Sequence, residues 1–151
     1  MKNCRHLGLK VHGDFQIGLP GETRETIEKS MRFAMQLDPE TIQVSMSHPY
    51  PGTELYRYLE AQGYLISTRM TDEQGHQLPN FEYPGLSRGE IVRAVEDFYA
   101  RYYFRPRIIF RILRRGLFSG TERRRLYEEG KEFFSHRSMR KRLIHPFKFE
   151  G

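Results

Sequence analysis

The sequence predicts an α/β fold in which two parallel strands, each followed by a helix, lead into a helical extension. Three observations carry this. Gly13-Asp14-Phe15-Gln16-Ile17 is an extended run that meets the turn Gly18-Leu19-Pro20-Gly21 and passes into a helical pattern at Glu22-Thr23. Thr41–Ser47 repeats the plan, with His48-Pro49-Tyr50-Pro51-Gly52-Thr53 before another helix. The charge then changes sign. Residues 1–100 hold ten Lys/Arg and fourteen Asp/Glu, a balance of −4; residues 101–151 hold fifteen and five, a balance of +10. Tandem strand–loop–helix units imply parallel pairing, and ligands of such folds bind beyond the carboxyl ends of the strands. Both loops are therefore expected on one functional face.

The elements follow in order. Residues 1–8 read as the end of a helix, with Gly8 as its stop. Residues 10–17 alternate, with Val11, Gly13, Phe15 and Ile17 on one side and His12, Asp14 and Gln16 on the other. Residues 23–37 read as a helix whose apolar face is Ile27, Met31, Ala34 and Met35. Glu22 and Glu25 favour its N-terminus electrostatically. Asp38-Pro39 ends it, because a residue before proline avoids the helical region. Residues 41–47 alternate again, Ile42, Val44 and Met46 opposite Gln43, Ser45 and Ser47. The polar sides face either a ligand-filled barrel interior or a solvated sheet face.

A short helix is expected over 54–62, stopped by Gly63. Residues 64–86 lack periodicity and read as a long irregular connection or a small hairpin. Ser87-Arg88-Gly89-Glu90 fits a capping box and opens a helix to about Arg105, with Ile91, Val95, Phe98 and Tyr102 on one face. Pro106 breaks or kinks it. Helix resumes over 107–115, Gly116–Gly120 is a turn, and Thr121 caps a last helix to about His136. The domain reading is 1–63 for the two strand–loop–helix units, 64–86 for the connection and 87–151 for a basic helical extension.

Composition narrows the function. Hydrophobic residues are 38% and charged residues 29% of the 151, which suits one modest folded domain. No apolar run reaches the roughly 18–20 residues of a membrane span, and Met1–His6 lacks a signal-peptide core. The expected compartment is cytoplasmic. Cys4 is the sole cysteine, so this chain cannot supply three ligands to an iron–sulfur cluster. The six histidines are dispersed without metal-ligand spacing; no metal site and no catalytic residue is assigned.

The loops carry what chemistry there is. Gly18-Leu19-Pro20-Gly21 permits a sharp turn and close ligand approach, and amides at the next helix start can face an anion or polar ligand. It is neither a Walker loop nor a dinucleotide fingerprint. In the second loop two prolines stiffen the chain, Tyr50 offers a flat face and His48 an acid, base or hydrogen-bonding group.

Ile17–Thr23 followed by His48–Tyr56 resembles the radical S-adenosylmethionine enzymes, and most nearly those with an N-terminal cobalamin-binding domain. Tyr83–Ser87, Glu96–Tyr99, Arg101–Pro106 and Glu129–Phe134 resemble the hopanoid biosynthesis-associated branch. The resemblance implies the C-terminal part of a partial (β/α)6, TIM-like barrel. It implies a [4Fe-4S] cluster on a Cys-x3-Cys-x2-Cys loop that reductively cleaves S-adenosylmethionine to a 5′-deoxyadenosyl radical. The two strands resemble the fifth and sixth of that barrel. By that analogy Gln16, Gly18, Leu19, His48 and Pro49 are the cofactor-side residues.

The cysteine loop, the first four strands and any cobalamin domain do not occur in the chain. Asp14 and Gln16 stand where the family motif often has glycine and an aliphatic residue. The resemblance thus implies the end of a longer enzyme, as a fragmentary gene product, a split subunit or one stretch of a longer chain. Alone, it is expected to be inactive. Its expected partners are the missing barrel half or a partner subunit, and a lipid substrate.

The tail segment Arg105–Phe118 is basic and amphipathic. On a helix Ile108, Ile109, Ile112 and Leu113 cluster, flanked by Arg107, Arg111, Arg114 and Arg115. This suits an interfacial helix on the inner face of an anionic membrane, or a packed helix with solvated arginines. The competing function class is a non-catalytic basic module for membrane or nucleic acid; nucleic acid is disfavoured because no known binding module precedes the tail.

Overall fold

Two strands and five helices make up the described part of the chain, which in the computed structural model comprises residues 2–69, 71, 80–118 and 131. The order is α1 (Lys2–His6), β1 (His12–Ile17), α2 (Arg24–Leu37), β2 (Thr41–Met46), α3 (Glu54–Ala61), α4 (Arg88–Tyr103) and α5 (Pro106–Phe118). The chain divides into two units, residues 1–95 and 96–151.

In the first unit β1 and β2 pair in parallel, His12 opposite Thr41 through to Ile17 opposite Met46. The connection between them is α2. Parallel strands need such a crossover, because a tight turn cannot reverse the chain twice. Alternation sets the faces. Ile17, Ile42 and Val44 are buried, while His12, Asp14, Gln16, Gln43 and Ser45 are exposed. The polar side of this sheet is open in the described structure. Ser47 departs from the pattern. It lies just beyond β2, is fully buried, and its N–H continues the ladder to the Ile17 carbonyl at 2.8 Å.

α2 buries Ile27, Met31 and Ala34, the stripe expected from its spacing. Its start is fixed by Thr23, whose side chain accepts from the Thr26 N–H while the Thr26 hydroxyl accepts from the Thr23 N–H. A threonine thus serves where the usual reciprocal cap has glutamate. Asp38 ends the helix in the left-handed region, φ 48°. Its carboxylate is buried and paired with Arg5 of α1 at 2.9 Å, and Arg5 also donates to the Asp38 carbonyl at 2.5 Å. That clamp ties α1 to the α2–β2 corner.

The segment after α3 forms a small hairpin-like return among the described residues. Leu65 bridges Phe81 antiparallel, and Tyr83 bridges Leu86 across Pro84-Gly85. Glu90 then reaches back to the Ser87 N–H at 2.9 Å, so α4 begins with the glutamate half of the expected cap. Arg24 donates to the same carboxylate at 2.6 Å, joining the starts of α2 and α4.

In the second unit Phe98, Tyr102 and Ile108 are buried. Pro106 breaks the helix as expected: Phe104 and Arg105 form a turn, and Pro106 opens α5 at the position where its missing N–H costs nothing. The turn is held by Arg105, whose Nε donates to the Tyr102 carbonyl at 3.0 Å and whose guanidinium lies 4.4 Å over the Tyr102 ring.

One boundary differs from expectation. Helix α5 continues through Gly116 to Phe118, where a turn is predicted from Gly116. A single interior glycine costs a helix only about 1 kcal/mol, and Arg115 and Leu117 on either side favour helix. The expected last helix, 121–136, lies outside the described residues except for Lys131, which is helical. No helix among the described residues is long and apolar enough to cross a membrane.

Candidate functional site

The parallel register sends both loops out from the same end of the sheet: 18–22 after Ile17 and 47–53 after Met46. The two are stitched at their roots. Gln16 Nε2 donates to the Ser47 hydroxyl at 3.2 Å. Gln16 is otherwise exposed, whereas Ser47 is wholly buried, so the serine anchors one rim of the second loop to the end of β1.

Gly18 can be nothing but glycine without cost. Its φ is +94°, and a Cβ there would sit 3.0 Å from Phe81 Cζ. Its carbonyl accepts the Tyr83 hydroxyl at 2.9 Å in a buried contact. Burial, with Tyr58, Glu22 and Tyr64 nearby, raises the Tyr83 pKa far above its ordinary value, so this hydroxyl remains a donor. Tyr83 continues an edge-to-face aromatic chain: Phe81 at 5.4 Å, Tyr64 at 5.7 Å, and Tyr58 of α3 at 6.4 Å from Tyr64. The return after α3 therefore packs a rigid aromatic wall behind the first loop.

The front of that loop is closed by its own carboxylate. Glu22 accepts from the Gly18 N–H and also from the Leu19 N–H. Partial burial raises its pKa, and the two amide bonds oppose that rise without cancelling it. These two loop amides thus already face a carboxylate of the chain itself. With Thr23 occupying the Thr26 N–H, the loop offers little to a phosphate. The loop exposes Leu19, at 46%, beside Pro20 and Gly21, an apolar surface suited to a neutral ring rather than an anion.

The second loop is similarly prepared. Pro49 is buried, Tyr50 is 51% exposed, and the Thr53 hydroxyl donates to the Tyr50 carbonyl at 2.7 Å. Thr53 also caps α3 through the Tyr56 N–H at 3.2 Å. His48 is half-buried, and that burial lowers its pKa. A neutral imidazole, able to donate at one nitrogen and accept at the other, results.

The structure therefore places Gln16, Gly18 and Leu19, and His48 and Pro49, at one end of the sheet. Gly18 and Pro49 are buried scaffolding; Gln16, Leu19 and part of His48 face outward. Sequence reasoning missed Tyr83, Phe81 and Ser47 as supports. Tyr83 is 65 residues from the carbonyl it holds, and no local pattern signals such a contact. The open cleft lined by Gly63, Tyr64, Ile66, Glu82, Tyr83 and Pro84 measures about 260 Å³, below the roughly 300–1,000 Å³ of small-molecule pockets. Among the described residues no group of three or more His, Cys, Asp or Glu could hold a metal ion.

Known proteins share this segment. The chain is 30% identical over 111 residues, 74% of its length, to an uncharacterized methyltransferase of Pyrococcus horikoshii. It is 30% identical over 101 residues, 67% of its length, to an anaerobic magnesium-protoporphyrin IX monomethyl ester cyclase of Cereibacter sphaeroides. A cytidylyl-2-hydroxyethylphosphonate methyltransferase of Streptomyces wedmorensis is 32% identical over 116 residues, also 67% of the chain. The matches cover 24%, 16% and 21% of those proteins, so the chain spans a quarter or less of the curated relatives it matches. No family model matches the chain, and no solved structure does.

Proposed function

We propose that this chain is the C-terminal portion of a radical S-adenosylmethionine enzyme. Its strands are the last two of a partial (β/α)6 barrel, and its two loops form the adenosine-side wall of the S-adenosylmethionine site. The observation that carries this reading is the in-register parallel pair joined by α2, which brings both loop motifs to one end of the sheet. The relatives, named as methyltransferases and an anaerobic cyclase, support it together with the Gly-Leu-Pro-Gly-Glu-Thr and His-Pro-Tyr-Pro-Gly-Thr motifs.

The residues suit an adenine ring. Leu19 and Tyr50 supply apolar and aromatic surface, the neutral His48 supplies a donor and an acceptor, and Gln16 an amide. Gly18, pinned between Glu22 and Tyr83, fixes where Leu19 sits. The exposed polar face of β1 and β2 becomes the barrel interior once the missing strands close over it. The bound S-adenosylmethionine supplies the reacting group. The cysteines that would hold the [4Fe-4S] cluster belong to the missing barrel half or a partner subunit, since Cys4 is the only cysteine here. This chain alone therefore orients the cofactor and does not cleave it. Cobalamin, on this reading, belongs to the parent enzyme's own domain. The narrower role in hopanoid lipid modification rests on the resemblance of the motifs Tyr83–Ser87, Glu96–Tyr99, Arg101–Pro106 and Glu129–Phe134.

The test is to isolate the native protein from its cells under anaerobic conditions and map its peptides. A polypeptide or tight complex that also contains a Cys-x3-Cys-x2-Cys segment, iron and sulfide is expected. A stable native protein without them would overturn the reading.

A further inference from the structure

Residues 101–118 contain six arginines and no acidic residue. Most of that stretch is α5, and the helix sorts its residues by type. At about 100° per residue, Arg107, Arg111, Arg114 and Arg115 fall within an arc of about 100°, while Ile108, Ile109, Phe110, Ile112 and Leu113 fall outside it. Burial divides the apolar group. Ile108, at the edge of the arginine arc, is 1% exposed and roots the helix. Ile109 is 40% exposed, Phe110 68% and Ile112 37%, and Phe104, just before the helix, is 52% exposed. Four large apolar side chains within residues 104–112 are thus exposed on a stretch that carries no acidic residue.

We propose that α5 is an interfacial anchor that lays its isoleucine and phenylalanine face into an anionic lipid bilayer, its arginines meeting the phospholipid headgroups. The charge favours this occupant. Residues 101–151 carry +10, and an anionic surface attracts each basic residue held near it. The apolar face separates lipid from nucleic acid. Isoleucines give no stacking platform for bases, whereas a bilayer boundary accepts both aliphatic and aromatic side chains. One helix of this kind binds reversibly, because a few residues of apolar burial do not match a membrane span. The inference does not depend on the enzyme reading above; the anchor could serve any chemistry.

The chain has no tryptophan, so Phe110→Trp installs a single reporter on the exposed face. With the full chain, vesicles of equal parts phosphatidylglycerol and phosphatidylcholine should shift the tryptophan emission to the blue. Phosphatidylcholine alone should not. Added salt should weaken the binding, since charges are screened over about 8–10 Å near physiological ionic strength. Each arginine at such a surface is worth about fivefold in partitioning. Replacing Arg107, Arg111, Arg114 and Arg115 by glutamine should therefore lower affinity about a hundredfold or more. Ile109→Ser with Ile112→Ser, followed by vesicle sedimentation, should weaken binding while leaving its salt dependence. Unchanged far-UV circular dichroism checks that the variants fold. No shift with anionic vesicles, or equal shifts with both kinds, would overturn the proposal. A shift produced instead by polyuridylate, or by self-association in lipid-free gel filtration without response to anionic vesicles, would assign the face to RNA or to a second copy and overturn it equally.

Discussion

Gly18→Ala should destabilise the first unit by more than backbone strain alone. Two costs add at this position. At φ +94° an alanine occupies the left-handed side of the backbone map, at about 1–2 kcal/mol. Its methyl would also stand 3.0 Å from Phe81 Cζ and 3.7 Å from Ile91 Cγ2. Phe81 is fully buried and held edge-on against Tyr83, so it cannot swing away cheaply; overpacking of this kind costs about 1–3 kcal/mol. The total is about 2–5 kcal/mol. Gly21→Ala is the internal control. Its φ is +81°, but nothing lies within 4 Å of the added Cβ, so only the strain of about 1–2 kcal/mol applies. Urea denaturation of the full chain, followed by far-UV circular dichroism, reads both. Combining Gly18→Ala with Phe81→Leu should recover part of the steric loss relative to the sum of the single changes. Equal midpoints for Gly18→Ala and Gly21→Ala would refute the claim that the aromatic wall bears on this loop.

Tyr83→Phe deletes the donor to the buried Gly18 carbonyl and should cost about 1–3 kcal/mol, seen as a lower denaturation midpoint and faster amide exchange at residues 18–22. Glu90→Gln should be felt only where Glu90 is charged. The Ser87 N–H, then Arg24 and the Ser87 hydroxyl, hold its pKa below the ordinary 4.5. Its stabilisation is therefore fully present above about pH 4.5 and lost as pH falls through the lower folded value; at neutral pH the loss should be about 0.5–1 kcal/mol, as both partners are partly exposed. His48 behaves in the opposite chemical sense but the same pH direction. Its folded pKa lies below 6.5 because of burial, so acidification below about pH 6.5 adds a destabilising component down to the folded value. Melting curves across that window should show that component disappear in His48→Gln.

Alternation in residues 12–17 and 41–46 was enough to read both strands and their faces, because one side had to be apolar wherever a helix packed on it. The loop motifs fixed where the chain turns and hence which end of the sheet is functional. What the sequence could not disclose was what holds those loops. The Tyr83 hydroxyl reaches Gly18 only because the return after α3 brings residues 81 and 83 behind it, a contact set by tertiary packing. Glu22 was legible as a helix-start charge but not as the acceptor that closes its own loop, since that depends on the Gly18 backbone turning its N–H inward. Ser47 belongs by parity to the polar side, yet it is buried because it lies past the last paired residue, where the chain leaves the sheet. In α5, periodicity groups Ile108 with Ile109 and Ile112, whereas only packing decides that Ile108 is covered and its neighbours are not. At Gly116, the glycine suggested a turn, and the helix-favouring residues around it carried the helix through.

The central claim, that these two loops line the adenosine side of an S-adenosylmethionine site, is tested most directly by photolabelling. The native protein, isolated anaerobically, would be irradiated with an azido-adenine analogue of S-adenosylmethionine and its labelled peptides mapped. Label within residues 16–22 and 47–53, displaced by unmodified S-adenosylmethionine and reduced by Gly18→Ala, is the predicted result. Displaceable label confined to other parts of the protein, with both loops unmarked, would contradict the account.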